Sequence, residues 1–189
     1  MIRKRFFIVL ALAFLAAPLT AWAFAKPVRL LLPELNGVTC NESVCVDDIE
    51  RMQEAKALYD SAHEHVSDTL TPLANRPRMV FCAHADCYRS FGGGLERAIT
   101  YPGIGSLIAP ASWSPHFARH ELIHALQAQE LGPVRMLRGP EWFREGMAYS
   151  VSEPPIDDMP PQFEAFRDQY EEWSAGIEST EIWSKASLL

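Results

Sequence analysis

Apolar positions along the chain change their spacing near the middle, from short alternating or continuous runs to helical periods. Ile49, Met52, Ala55, Tyr59, Ala62 and Val66 recur every three or four residues, which predicts one early helix ending near Pro72. Asp47-Asp48 ahead of it can supply the cap, and Pro33, Asn36 and Gly37 mark a turn-rich entry. "RMVFCA" (78–83) reads as a short strand, followed by a loop bounded by Cys82 and Cys87 and a flexible "GGG" at 92–94. "AITY" (98–101) and "GSLIAP" (105–110) read as two further strands around a Pro102-Gly103 turn.

From Ser114 onward the pattern is helical. Ser114-Pro115 is a helix start, with a capping serine and a proline whose missing N–H does no harm, and Gly132-Pro133 is a stop. "PEWFREGMAYSVSE" forms the next helix, ended by "EPPIDDMPP". "QFEAFRDQYEEWSAG" is another, and Ser179 can cap a last short one. Strands followed by a block of helices predict an α+β domain with a small β-sheet and a helical C-terminal part.

The beginning of the chain has a different character. Arg3, Lys4 and Arg5 precede an apolar run from Phe6, and Ala21-Trp22-Ala23 is a small-x-small cleavage pattern. Residues 1–23 therefore read as a secretory signal peptide, and 24–189 as a single domain. The same run also has the roughly 20 residues a bilayer span needs, so an uncleaved anchor is the alternative. Either way the domain is exported, periplasmic or secreted, and a membrane is a partner only if the segment stays. Removing it takes three of the 17 basic residues, leaving 14 against 24 acidic ones, a net charge of −10. That acidity argues against nucleic acid as a partner.

Four cysteines form two pairs of equal spacing, Cys40-x4-Cys45 and Cys82-x4-Cys87. In an exported chain local disulfides Cys40–Cys45 and Cys82–Cys87 are the simplest reading. A zinc site built from all four thiolates is the rival.

The chemistry sits in "RHELIHALQ" (119–127). On a helix His120 and His124 lie one turn apart, about 5–6 Å between Cβ atoms, a separation that suits two nitrogen ligands on one zinc ion. Glu121 lies beside that position, where it can act as general base. Leu122, Ile123, Ala125 and Leu126 are apolar, so the helix is largely buried, and burying three such polar groups without a partner costs several kcal/mol. A five-residue pattern arises by chance often enough that a third ligand is required. Glu145, on the following helix, can fold back to supply it, with Gly146 and Ala148 letting two backbones approach closely.

His120-Glu121-Leu122-Ile123-His124, followed by Trp142-Phe143-Arg144-Glu145-Gly146-Met147-Ala148, resembles the His-Glu-x-x-His plus glutamate zinc metallopeptidases. These gluzincin-type proteins form the thermolysin-like and aminopeptidase-like superfamily. The resemblance covers residues 115–150 and, more loosely, "GSLIAP", which is similar to the edge strand along which family members lay a peptide. It implies a zincin-like fold, one zinc per chain on His120, His124 and Glu145, and water activation by Glu121. Two positions depart from the family pattern. Tyr149 stands where thermolysin-like members carry an acidic residue that steadies a zinc histidine, and "GSLIAP" lacks the glutamate with which aminopeptidases hold a substrate amine.

Tyr149, Tyr101 and His116 are candidate oxyanion or substrate donors, His116 also fitting a role in the capping turn. His63 and His65 read as solvated side chains and His84 as a loop residue. Trp142, Phe143, Phe163, Phe166 and Trp173 fit core packing. Arg144 suits a surface salt bridge or a substrate carboxylate. The expected activity is peptide-bond hydrolysis on a peptide or protein substrate. A catalytically silent zinc-bearing scaffold of the cell envelope and an amidase acting on cell-wall peptides are the alternatives.

Overall fold

Residues 20, 22–155 and 159–189 are described by a computed structural model. The expected signal segment falls outside the described residues except at positions 20, 22 and 23. Among the described residues no helix is long and apolar enough to cross a membrane.

Five short strands form one mixed sheet: β1 (Thr39–Asn41), β2 (Val44–Val46), β3 (Met79–Phe81), β4 (Ala98–Tyr101) and β5 (Gly105–Ile108). Their order is β1-β2-β3-β5-β4. β2, β3 and β5 run parallel, while β1 and β4 are antiparallel edges. β3 and β5 are buried along their whole length, in keeping with the apolar "MVF" and "LI" they carry, while the buried Ser106 pairs its hydroxyl with Thr100. β4 is only half-buried throughout. "GSLIAP", expected at the edge, is therefore interior, and "AITY" is the edge strand. Both read as strands locally; only the pairing partners separate an edge from a centre.

Side chains alternate between two cores. Val44, Val46, Met79, Phe81 and Ile108 face the helices, joining Tyr59, Leu122, Ile123 and Met147. Cys45, Val80, Cys82 and Leu107 face the other way, toward Leu30, Tyr88 and Phe91. The helices are α1 (Met52–Thr69), α2 (Ala85–Ser90), α3 (Pro115–Leu131), α4 (Pro133–Arg138), α5 (Glu141–Ser152), α6 (Pro161–Ser174) and α7 (Ile182–Ala186). α1 buries Met52, Ala55, Tyr59, Ala62 and Val66 as their spacing predicts, whereas Ile49 lies outside the helix and exposed. Asp48 caps the 3-10 turn Ile49–Arg51 that leads into α1, accepting from the Glu50 N–H, and α1 itself starts after Arg51 without a side-chain cap.

Several local features differ from expectation. The loop between Cys82 and Cys87 contains the start of α2, and the turn-rich entry is two 3-10 segments, Lys26–Leu31 and Pro33–Asn36. α4 fills what reads as a simple break, and α7 starts after Glu181 without a Ser179 cap. Ser114 precedes α3 but makes no side-chain cap bond; its Oγ lies 3.1 Å from His116 Nδ1. Both disulfides, Cys40–Cys45 and Cys82–Cys87, form, and no cysteine is free to build the four-thiolate site. Cys40 and Cys45 are direct cross-strand partners in the β1–β2 hairpin.

Candidate metal centre

α3 carries His120, Glu121 and His124 under the β4 side of the sheet, tied there by Thr100 Oγ1, which donates to the Glu121 carbonyl at 3.0 Å. α4 reverses the chain so that α5 packs back on α3 and Glu145 turns toward both rings. Gly146 has a different job from the one its spacing suggests. A Cβ there would stand 2.2 Å from the Phe166 carbonyl oxygen, so the glycine admits α6, not α3, against α5.

His120 Nε2 and His124 Nε2 lie 3.1 Å apart, and Glu145 Oε2 is 3.5 and 3.6 Å from them. A tetrahedral zinc with bonds of 2.0–2.1 Å spaces its ligand atoms by about 3.3 Å, so these donors fit such an ion without rearrangement of the fold. Among the described residues this is the group that could hold a metal ion. All three side chains are largely buried.

A supporting network fixes the histidine chemistry. The Gln127 amide donates through Nε2 to the Arg144 carbonyl at 2.9 Å, so its Oε1 is the atom 2.9 Å from His124 Nδ1 and must accept from it. The proton on Nδ1 leaves the Nε2 lone pair aimed at the cluster. Gln127 is fully buried, and its role was missed from sequence although its spacing, three residues past His124 on one helix face, is the available signal. Arg144 Nε donates to Glu145 Oε1 at 3.1 Å, leaving Oε2 for the histidines. Arg144 thus orients a ligand, with Glu141 3.8 Å away on its other side.

Glu121 is 3 % exposed, and its Oε2 has no hydrogen-bond partner. Burial pushes its carboxyl above the usual range, against the pull of His120 and His124. Burial disfavours a charge on His124, but the hydrogen bond and charge of Glu145 outweigh it and raise the pKa. Burial likewise opposes ionisation of Glu145, and the hydrogen bonds of both histidines win, holding it well below the carboxylate range.

The cluster opens into a cavity of about 770 Å³. His116 and Tyr149 line it; the Tyr149 ring meets His120 edge-on at 4.6 Å and stacks on Phe163 at 4.8 Å. Phe163 is therefore cavity wall, while Phe143 and Trp173 pack together at 5.3 Å as expected of core. Tyr101 is not brought to the cluster. It points to the opposite sheet face, beside the core around Tyr88 and Phe91, because alternation along β4 sends Thr100 toward α3 and Tyr101 away. His65 is not solvated but bonded through Nε2 to the Val151 carbonyl (2.8 Å), and His63 stacks on Tyr59. His84 pairs with Asp47 at 3.0 Å.

Compared with protein-family models, curated proteins and solved structures, the chain shows no match.

Proposed function

We propose that the protein is an exported zinc-dependent metallopeptidase whose general base is Glu121. The observation that carries this reading is the convergence of His120 Nε2, His124 Nε2 and Glu145 Oε2 beside a buried carboxylate with an unpartnered oxygen. Zinc held there would act as a Lewis acid toward a scissile carbonyl and acidify water. Glu121 takes the proton from the attacking water and returns it to the leaving amine.

The sheet edge supports a peptide as substrate. Ala109 N–H donates to the Arg97 carbonyl, so residues 97, 99 and 101 bond to β5, and the N–H and C=O of Ala98 and Thr100 point outward. An extended chain can add to such an edge, which also lines the cavity. An antiparallel edge strand above the helix carrying both histidines is consistent with a zincin-like domain. The two disulfides favour an oxidising compartment, hence the periplasm or the exterior.

Elemental analysis of purified protein together with Glu121→Gln tests the proposal. One zinc per chain is expected in both forms, with hydrolysis of an unfolded protein substrate at least about 100-fold slower in the variant. Equal rates would reject the mechanism. A zinc-loaded wild type that cleaves no peptide would leave the silent scaffold, and new amines released only from peptidoglycan fragments would select the amidase.

A further inference from the structure

We infer that this site, on the peptidase reading proposed above, cuts internal bonds of extended polypeptides and holds several substrate residues in a second cavity beyond Thr100. That cavity, of about 280 Å³, is lined by Thr100, Gly103, Ala125, Ala128 and Gln129, with Asn75 exposed on its wall. Thr100 also lines the cavity of the metal cluster. Its hydroxyl bonds the carbonyl of Glu121, so Thr100 borders both spaces above the turn that carries the general base.

From there the second space follows the same helix. Ala125, Ala128 and Gln129 lie four, seven and eight residues past Glu121. Eight residues at 1.5 Å rise give about 12 Å. An extended chain covers that length with about three to four residues. A substrate laid against β4 at the cluster therefore has a continuing bed on the side of the β4–β5 turn.

An exopeptidase needs a counter-charge for a free terminus, and the arginines on the wall of the cluster cavity are already engaged. Arg144 is taken by Glu145 and Glu141, and Arg97 lies over the Phe117 ring at 4.6 Å. Glu96 accepts from the Gly94 N–H, and Arg78, on the second cavity, donates to the Leu30 and Leu31 carbonyls. Glu121, whose buried Oε2 has no partner, sits at the cluster itself.

The test uses the zinc-loaded full chain and a random-sequence peptide mixture, acetylated and amidated at its ends, in lengths of four and ten residues, with cleavage read by mass spectrometry. Internal cleavage of blocked peptides is expected, with kcat/KM about tenfold or more higher for the longer set, since remote contacts contribute to transition-state binding. Asn75→Trp should remove that length advantage, bringing the kcat/KM ratio of the two sets close to one, and an unaltered far-ultraviolet spectrum with one zinc still bound shows that the variant is folded. Cleavage restricted to peptides with a free terminus, rates independent of length, or an Asn75→Trp protein that retains the length advantage would each overturn the inference while leaving the peptidase reading intact. No cleavage of any peptide would overturn both.

Discussion

The two faces of the sheet are stabilised in different ways. The face toward Tyr88 and Phe91 carries both disulfides, with Cys45 and Cys82 inside its core and Cys40 and Cys87 packed against it. The face toward α1, α3 and α5 has no covalent staple, yet it buries two imidazoles and two carboxylates. A sheet pinned from one side can tolerate unfavourable polar burial on the other. The candidate metal centre thus lies on the face without disulfides.

The sharpest way to break this division is to remove a ligand. His124→Ala should lower zinc affinity by well over the about 100-fold that marks loss of a supporting partner, with the fold retained because the disulfide face is untouched. Competition with a chromogenic chelator measures the affinity, and a variant binding zinc like the wild type would remove His124 from the centre. Gln127→Leu is the next step down. It deletes the acceptor that sets the His124 tautomer, so an affinity loss of about 10–100-fold is expected, and an unchanged affinity would show that the Gln127–His124 contact does not support the metal.

On the stapled face, Cys82→Ser with Cys87→Ser should lower stability by about 2 kcal/mol, the chain-entropy value for so short a loop. Urea unfolding reads this, and zinc stoichiometry should stay at one per chain. Loss of zinc in that double variant would show that the two faces are not separable. The mildest effect is expected in alkali. Burial raises the pKa of Tyr59 and Tyr170 on the site face and of Tyr88 on the other. In the unfolded chain these phenols ionise near pH 10. Their contribution is therefore complete below about pH 10 and declines above it, as the unfolded chain sheds protons that the folded one keeps. Tyr59→Phe and Tyr88→Phe should each flatten part of the fall between pH 9 and 11; a variant with the wild-type slope would show that its phenol ionises alike in both states.

Much of the architecture was legible because it is local. The face of α1, the span of α3 and the start of α5 follow from helical spacing and from proline and glycine punctuation. The β1–β2 hairpin was not legible, since three-residue strands have too few positions to show a period. α2 hid inside a disulfide-bounded stretch that resembles a loop. Tyr101 and Thr100 are neighbours in sequence, and only the pairing of β4 with β5, together with the side on which α3 packs, decides which of them meets the site.

By itself the sequence determined that two histidines and a glutamate share one helical turn, because that relation depends only on backbone geometry over five residues. It also determined that the cysteines are close enough to pair within each local loop. The tertiary structure alone decided that Glu145 reaches both imidazoles, that Gln127 bridges His124 to the Arg144 carbonyl, and that "AITY" borders the cavity as the edge strand. Each of these depends on how segments many residues apart cross and pack, and residue spacing along the chain carries no information about a crossing.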